Sequence, residues 1–360
     1  MTDPPSTFSH TLPGYRMPAE WEPHAATWLA WPHRRSDWPG KFSPIPWVYT
    51  EIVRSLTRHE RVNLLVGGPK TQARVEQALS SAGVDLSCVG FWQIRTDRSW
   101  VRDSGPILVV NEHGERAALD WHFNAWAKYP DWTHDDSVPA FVADQLGLRR
   151  CQPRLRGWRV VLEGGSIDVN GSGLLLTTEE CLLSRTQERN PPFDRADYER
   201  VFADYLGVKK VHWLGRGIAG DDTHGHVDDL ARFVNPRTIV TVVENDSTDA
   251  NYQPTQENLE RLRAMTDLEG NRLEVMILPM PSPRVFDGMR LPASYANFYI
   301  ANGVVIVPTF NDPKDRVALG VLTDLFPDRE VVGIHCVDLV WGLGTLHCMT
   351  QQEPHTILCT

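Results

Sequence analysis

The sequence lacks the features that mark membrane, secreted and disulfide-stapled proteins. Its 360 residues contain no apolar run of about 18 residues, and residues 1–20 carry prolines and a carboxylate where a secretory signal would be apolar. Six cysteines are widely scattered, and no two have the C-x-x-C spacing of a zinc or redox motif. These absences predict a protein of the reducing cytoplasm, with no membrane partner.

Basic clusters are missing as well. Acidic residues outnumber basic ones by 46 to 36, the formal net charge is −10, and no stripe of Lys or Arg suits a phosphate backbone. The sequence therefore does not predict a nucleic-acid partner. Hydrophobic residues make up 41% of the chain, which is enough to bury a large core.

Linker-like tracts rich in Ser, Gly or Pro are also absent, which favours one domain over residues 1–360, with residues 1–14 as an irregular N-terminal segment. Apolar runs between turn residues predict strands at 26–31, 62–66, 107–110, 174–177, 239–243, 273–278, 304–307 and 330–334. Helical periodicity predicts helices at 46–58, 69–82, 138–146, 196–206, 256–266 and 315–325. The predicted fold class is α/β.

A repeat underlies these elements. Four times, a polar residue starts an apolar strand that reaches an Asn turn seven or eight positions later: Asp103 to Asn111, Glu163 to Asn170, Asp228 to Asn235 and Tyr295 to Asn302. The starts are 60, 65 and 67 residues apart, and Cys348 follows 53 residues after the last. Such spacing predicts a rotationally repeated β-β-α-β unit whose starting residues face one central pocket. The alternative is a coincidence among common turn residues.

Residues 222–229 (Asp-Thr-His-Gly-His-Val-Asp-Asp) concentrate titratable side chains. If residues 226–234 form a strand, alternation places His226 and Asp228 on one face, with His224 when the strand extends backwards. Two chemistries fit this face. His224, His226 and Asp228 have the spacing of a metal site. Alternatively, His226 is a general acid/base and Asp228 grips the substrate.

Residues 100–106 form a second polar group. We expect the carboxylate of Asp103, at a strand start, to enter the pocket. We expect the guanidinium of Arg102 to be buried, to pair with a carboxylate and to hold the loop in place. Trp100 is either a wall for a cationic ligand or a core tryptophan.

Glu163 and Cys348 are the remaining candidates. Glu163 precedes Gly164-Gly165, and taken alone it is best interpreted as a solvated turn carboxylate. Cys348 lies among glycines, threonines and glutamines, where a thiolate could be solvated and hydrogen-bonded. Cys336 also follows a histidine but ends an apolar strand, so we expect a buried, inert thiol there.

Together the candidates favour one chemistry. Metal-dependent hydrolysis would give no role to Cys348, Asp103 or Glu163. Two carboxylates flanking one spot match a planar guanidinium, whose carbon a thiolate can attack. A histidine can then protonate departing ammonia and activate water. A non-catalytic protein that binds cationic amines in an acidic pocket is a third possibility.

The chain resembles the agmatine deiminase / bacterial-type peptidylarginine deiminase family, which belongs to the guanidine-modifying pentein superfamily. The resemblance covers nearly the whole chain and is carried by the segments at 17–24, 100–106, 163–167, 225–228, 291–298 and 347–352. It implies a five-bladed pseudo-symmetric α/β propeller and hydrolysis of a guanidine to a ureido group and ammonia, without cofactor or metal.

The resemblance also implies roles for single residues. Cys348 would be the nucleophile, His226 the acid/base, Asp103 and Asp228 the guanidinium clamp, and Glu163 a supporting acid near His226. Trp100 and Asp222 would bind substrate, Asp222 at the far end of agmatine. His224 becomes a spectator.

This chain departs from the agmatine-specific pattern near the nucleophile. Leu343 and Thr345-Leu346 stand where a glycine-richer approach ending in Asn-Ile is common, and Asp229 stands where an asparagine is usual. The expected substrate is a small cationic guanidine, most simply agmatine giving N-carbamoylputrescine, with free or peptidyl arginine as alternatives. The protein is also expected to be capable of forming a homo-oligomer.

Overall fold

A computed structural model of the chain describes residues 12–355. Residues 12–14 lie outside the helices and strands, and the rest of the predicted N-terminal segment lies outside the described residues, as does Cys359. The five cysteines within the described range form no disulfide with one another.

The strands of the described residues are short, and six of the twenty are buried along their whole length. In chain order they are β1 (His24–Ala30), β2 (Val62–Val66), β3 (Val89–Gln93), β4 (Ile107–Val110), β5 (Arg116–Leu119), β6 (Arg149–Cys151), β7 (Arg154–Leu155), β8 (Trp158–Arg159), β9 (Asp168–Val169), β10 (Leu174–Thr178), β11 (Lys210–Leu214), β12 (Ala231–Asn235), β13 (Thr238–Val243), β14 (Glu274–Pro279), β15 (Val285–Phe286), β16 (Met289–Arg290), β17 (Tyr299–Ala301), β18 (Val304–Thr309), β19 (Glu330–His335) and β20 (Gln351–Pro354).

Helices connect the parallel strands. They are α1 (Ile45–Leu56), α2 (Pro69–Ser81), α3 (Val101–Ser104), α4 (Val138–Gln145), α5 (Glu179–Leu183), α6 (Arg195–Leu206), α7 (Tyr252–Ala264), α8 (Asp315–Leu325) and α9 (Leu346–Met349). Local chemistry sets their ends: α6 begins with a capping box between Asp194 and Asp197 and ends at left-handed Gly207. In the described part of the chain, no helix combines the length and apolar character needed to cross a bilayer.

All six predicted helices and the eight predicted strands are present, with ends that shift by a few residues. The largest shift is in α7, which begins at Tyr252 rather than at residue 256. The α/β class is confirmed. The predicted strand over 226–234 is wrong at its start, because residues 227–229 form a 3-10 turn and β12 begins only at Ala231.

Five sheets of the described residues share one topology. Their strand orders are β4-β5-β6, β9-β10-β11, β12-β13-β14, β17-β18-β19 and β20-β1-β2-β3. In each, the first two strands are antiparallel, and a helical connection then leads to a third strand parallel to the second. The predicted β-β-α-β units are therefore present. In the sheet that contains β1 and β2, the place of the first strand is taken by β20.

The Asn turns between paired strands are built as predicted. The side-chain oxygens of Asn111, Asn170 and Asn235 each accept hydrogen bonds from backbone amides two to four residues further on. This Asx geometry replaces part of the backbone turn and reverses the chain within a few residues.

Short helical turns precede the first strands and pack against one another. Helix α3 contacts α9 and the 3-10 turn Gly164–Ser166, which in turn contacts the 3-10 turn Val227–Asp229. The residues of interest therefore meet where the sheets begin. Trp100 and Cys348 also belong to the largest apolar core, which keeps this region rigid and largely dry.

Candidate active site

A cavity of about 480 Å³ opens where these turns meet. Four residues singled out from the sequence line it: Trp100, Asp103, Asp222 and Cys348. His226, Asp228 and Glu163 are buried directly behind the lining. The cavity size is typical of small-molecule sites.

Cys348 lies within α9 and is 6% exposed. Its Sγ accepts a hydrogen bond from Asn297 Nδ2 at 3.1 Å and lies 3.8 Å from Asp228 Oδ2. The expectation of a solvated thiolate was wrong. Burial, together with the charges of Asp228 and Asp103, raises the pKa of the Cys348 thiol well above its ordinary value. The free protein therefore holds a neutral thiol.

Asp103 lies in α3, where it is buried. Trp126 Nε1 donates to its Oδ2 at 2.9 Å, and the backbone amide of Gly165 donates to its Oδ1 at 3.0 Å. Burial raises the pKa of Asp103 to about 6, against the opposing effect of nearby His226. Asp103 thus enters the pocket, as predicted, although from a helical turn rather than from a strand.

His226 caps the turn Val227–Asp229 and is buried between two carboxylates. Its Nδ1 is 3.8 Å from Asp103 Oδ1, and its Nε2 is 3.8 Å from Glu163 Oε2. Burial acts to lower the pKa of His226, but the carboxylates and the neighbouring Cys181 thiol raise it well above its ordinary value. The imidazole is therefore held protonated, as an acid.

Glu163 is fully buried, so its interpretation as a solvated turn carboxylate was wrong. Arg189 Nε donates to its Oε1 at 3.1 Å. Although burial acts to raise it, the pKa of Glu163 falls to about 2 because Arg189 and His226 stabilise the carboxylate. Glu163 therefore carries a permanent negative charge beside His226.

Asp228 and Asp229 are adjacent and differ in charge state. Asp228 Oδ2 lies 2.7 Å from His347 Nδ1, and this partner lowers the pKa of Asp228 although burial acts to raise it. Burial and the charges of Asp228 and Asp221 raise the pKa of Asp229 well above its ordinary value. Asp229 Oδ1 accepts from Asn297 Nδ2 at 2.9 Å. Asp229 therefore favours the neutral form, which explains how it can stand where an asparagine is usual.

Gly165 marks the point where these groups converge. A Cβ on Gly165 would lie 2.6 Å from His226 Nδ1 and 2.9 Å from both Asp103 Oδ1 and Asp228 Oδ2. Only a residue without a side chain lets the acid and the two carboxylates approach one spot so closely.

Trp100 lies between the cavity and the core. Its ring lines the cavity and also packs on Trp38, with ring centroids 5.5 Å apart. Asp222 lies elsewhere on the cavity wall, where Tyr129 Oη donates to Oδ2 at 2.7 Å and Lys128 Nζ pairs with Oδ1.

The structure does not bring His224, His226 and Asp228 together as metal ligands. His224 has a left-handed backbone, and its Nε2 lies 3.1 Å from Ser184 Oγ. Within residues 12–355, two other groups of side chains are close enough to hold an ion: Glu163, Cys181 and His226, and Asp228, Asp229 and Cys348. Neither group contains His224.

Two structural expectations are confirmed. Arg102 is buried and donates to Glu20 Oε2, Gln352 Oε1 and the carbonyl of His347. Cys336 is fully buried after β19, and burial raises the pKa of its thiol. Tyr295, one of the repeat-start residues, does not face the pocket as predicted, because its hydroxyl binds Asp315.

Sequence reasoning missed the residues that hold the candidates in place. His347 bridges Asp228 and Glu20, at 2.7 and 2.8 Å. Asn297 binds Cys348 and Asp229, and its Oδ1 accepts from Thr345 Oγ1. Glu20, His347 and Asn297 all lie within the segments quoted for the family resemblance, which was the available signal. Arg189 gave no signal, because its partner is 26 residues away.

A thiol beside imidazole and carboxylate groups, in a cavity of an α/β fold, defines the class of hydrolases that work through a covalent thiol intermediate. The family model described as Porphyromonas-type peptidyl-arginine deiminase matches residues 16–354, and the chain belongs to that family. Curated relatives include an agmatine deiminase of Ectopseudomonas mendocina (strain ymp), 36% identical over 364 residues that span 95% of this chain and 96% of the relative.

Solved structures agree with this assignment. The agmatine deiminase of Enterococcus faecalis superposes with a TM-score of 0.87 at 35% identity, covering 96% of this chain and 97% of that one. The C. jejuni agmatine deiminase with substrate bound gives a TM-score of 0.84 at 29% identity, covering 95% and 97%. A Microseira wollei amidinotransferase, at 12% identity and a TM-score of 0.51, shares the fold alone.

Proposed function

We propose that this protein hydrolyses a guanidine to a ureido compound and ammonia, with agmatine as substrate and N-carbamoylputrescine as product. One observation carries the proposal: the thiol of Cys348 lines the same cavity as Asp103 and lies 3.8 Å from Asp228 Oδ2. A nucleophile flanked by two carboxylates matches a planar cation with an electrophilic central carbon.

Substrate binding begins with the carboxylates. Asp103 and Asp228 each accept N–H groups of the guanidinium, and Gly165 leaves room for them to converge. Their charges keep the guanidinium protonated and its carbon electrophilic. Trp100 supplies an apolar wall along the cavity.

The bound cation then favours the thiolate. Because burial and the charges of Asp228 and Asp103 oppose ionisation of Cys348, a guanidinium that neutralises those charges lowers the thiol pKa, and the thiol proton passes to water in the cavity. The thiolate attacks the central carbon and forms a C–S bond. Asn297, which donates to Sγ, orients the nucleophile.

His226 serves both halves of the reaction. Protonated between Asp103 and Glu163, it donates its proton to the departing nitrogen, so that ammonia leaves as the C–N bond breaks. The neutral imidazole then takes a proton from water, and the resulting hydroxide attacks the amidino carbon. The C–S bond breaks and the hydroxyl proton of the adduct passes to the departing sulfur, which releases the ureido product and restores the neutral thiol. The scheme needs no metal or cofactor.

The names of the relatives support agmatine over other guanidines, since both the curated relative and the C. jejuni structure are agmatine deiminases. Ureido product measured for agmatine, free arginine, a peptidyl arginine and a methylated arginine would rank the substrates. A preference for peptidyl arginine would contradict the assignment to agmatine while preserving the reaction class.

The architecture and setting of the enzyme form part of the proposal. The shared strand order of the five sheets supports a single catalytic domain built as a five-bladed α/β propeller around the candidate site. The lack of a disulfide among the five described cysteines supports a reducing cytoplasm. A homo-oligomer is compatible with the proposal, and sedimentation would measure its size.

Replacement of the nucleophile tests the mechanism. Cys348→Ala is expected to abolish ammonia release, because no other described thiol lines the cavity. Cys336→Ala is the matched control, because Cys336 also follows a histidine but is buried outside the cavity lining, and ammonia release should persist. Turnover retained in Cys348→Ala would overturn the nucleophile assignment.

Metal analysis separates this scheme from the metal-dependent amidohydrolase. A stoichiometric metal whose removal by chelator abolishes activity would favour that alternative. Binding of guanidines without ammonia release from any of them would instead favour a non-catalytic binding protein.

A further inference from the structure

Four carboxylates line the cavity, and most of their charge is already compensated. Arg98 Nη1 lies 2.7 Å from Asp37 Oδ1, and Arg34 pairs with Asp131. These two ion pairs are linked, because Arg98 also reaches Asp131 at 3.3 Å. This part of the wall therefore offers little net negative charge to a ligand.

Asp222 is compensated by a cation of the chain itself. Lys128 Nζ pairs with one carboxylate oxygen, while Tyr129 Oη donates to the other at 2.7 Å. The Asp222 carbonyl accepts from Gln187 Nε2 at 3.0 Å, which fixes the backbone of this residue. The Lys128 side chain is 39% exposed, so its ammonium can move into water at small cost.

Asp103 differs from the other three. Its hydrogen bonds come from the neutral N–H groups of Trp126 and Gly165, and no Lys or Arg of the described residues forms an ion pair with it. Asp103, whose cationic neighbour is the His226 imidazole at 3.8 Å, is therefore the lining carboxylate without a Lys or Arg partner, and it shares the cavity with the thiol, where the guanidinium is proposed to bind. Asp222 is occupied.

One strained segment connects Asp103 with Asp222. Ala125, Trp126 and Ala127 have φ values of 51°, 58° and 53°, a left-handed run that is unfavourable for residues other than glycine. The run directs Trp126 Nε1 to Asp103 and brings Lys128 and Tyr129 to Asp222. Strain of this kind is typically retained at functional sites.

We propose that Lys128 is a specificity-determining residue, which occupies Asp222 in the place that the distal ammonium of a substrate would take. The inference rests on the proposed guanidine hydrolysis. A substrate with an ammonium tail must displace Lys128 before it can bind Asp222, so this contact adds little to the affinity. The guanidinium end meets no such competitor and contributes its full binding energy. The enzyme therefore selects the guanidinium strongly and the charge of the tail weakly.

The test compares agmatine with n-butylguanidine, which has the same guanidinium and an uncharged tail. In the unmodified enzyme kcat/KM for the two should be similar. Lys128→Met should raise the agmatine-to-butylguanidine ratio roughly fivefold, through KM, because Asp222 becomes free to bind the ammonium. Effects of the lost charge on the guanidinium are common to both compounds and cancel in the ratio, so a changed ratio reports on the ammonium of agmatine.

Lys70→Met is the matched control, because it removes an equal charge from an exposed position in the first turn of α2 and should leave the ratio unchanged. Adding Asp222→Asn to Lys128→Met should abolish the gain. A ratio unchanged or lowered by Lys128→Met would overturn the inference.

Calorimetric binding of the same two compounds in a Cys348→Ala background gives a readout that needs no turnover. If no guanidine releases ammonia in the unmodified enzyme, the proposed function fails, and the ratio of Kd values with and without Lys128→Met still decides the role of Lys128. A roughly fivefold gain in relative agmatine affinity supports it, and an unchanged ratio refutes it.

Discussion

Asp228 and Asp229 are neighbours in the chain, yet the surroundings of each carboxylate separate their chemistry. His347 stabilises the charge on Asp228, whereas burial beside that charge favours the neutral form of Asp229. One residue can therefore attract a cation while the next serves as a hydrogen-bonding group. Sequence alone showed only two acids, because the charge on Asp228 depends on His347, 119 residues away, and the neutral form of Asp229 depends on burial beside that charge.

Asparagine substitutions at the two positions should therefore have opposite outcomes. Asp229→Asn should change kcat/KM by less than about threefold, because an amide oxygen can accept the same bond from Asn297. Asp228→Asn should lower kcat/KM by about 10²-fold or more, because the guanidinium loses a counter-charge. Ammonia release under matched conditions measures both. Equal losses in the two variants would contradict the assigned charge states.

At the scale of elements, turns of three or four residues carry the chemistry. Asp103, Asp228 and Cys348 lie within such turns, at the start of sheets rather than on them. The longer helices and strands were predictable from periodicity. These turns were not, because three or four residues are too few to express a helical period and their shape is set by the turns packed against them.

Close packing between these turns predicts that Gly344 cannot be enlarged. A Cβ there would lie 2.8 Å from the Trp100 ring and 3.2 Å from Cys348 Sγ. Gly344→Ala should displace the nucleophile and lower kcat/KM by about 10²-fold. Ammonia release and the unfolding midpoint, measured together, distinguish a displaced thiol from loss of the fold.

Gly320→Ala provides the control for Gly344→Ala. Nothing lies within 4 Å of a Cβ at Gly320, which is inside α8, so this variant should keep its activity and gain about 0.5–1 kcal/mol in stability. Full activity in Gly344→Ala would show that the turns yield more easily than their contacts indicate.

At the scale of the whole molecule, Glu20 joins parts of the chain that are far apart in sequence. Its carboxylate binds Arg102 of α3, Arg232 of β12, His347 of α9 and the backbone amide of Ile300 in β17. Burial acts to raise the pKa of Glu20, but Arg232, His347 and Arg102 hold it well below its ordinary value. The repeat was predictable from the sequence, but this junction was not, because its members share no spacing.

Loss of this charge should weaken the whole fold. Glu20→Gln should reduce the free energy of unfolding at pH 7 by about 3–5 kcal/mol, because Arg102 and Arg232 stay buried with less compensation. The pKa of Glu20 is lower in the folded state than in the unfolded state. Its charge therefore stabilises the fold fully when the pH is above the unfolded-state pKa of about 4.3, and this contribution declines as the pH falls below that value. Denaturant unfolding across pH should show the two proteins converging in acid.

Glu22→Gln is the control, since its pair with Arg16 is partly exposed and should contribute about 1 kcal/mol or less. Equal losses from Glu20→Gln and Glu22→Gln at pH 7 would contradict the importance of the Glu20 junction.

The pairing of β20 with β1 imposes an order on biosynthesis. Strand β1 is made before the strands of the other four sheets, yet the neighbour on one of its edges is residues 351–354, which are made more than 300 residues later. The other four sheets of the described residues can form before residues 351–354 are made, but the sheet of β1 keeps one edge open until then. Cys348 is made just before β20, so the candidate nucleophile and the strand that completes the sheet of β1 leave the ribosome together.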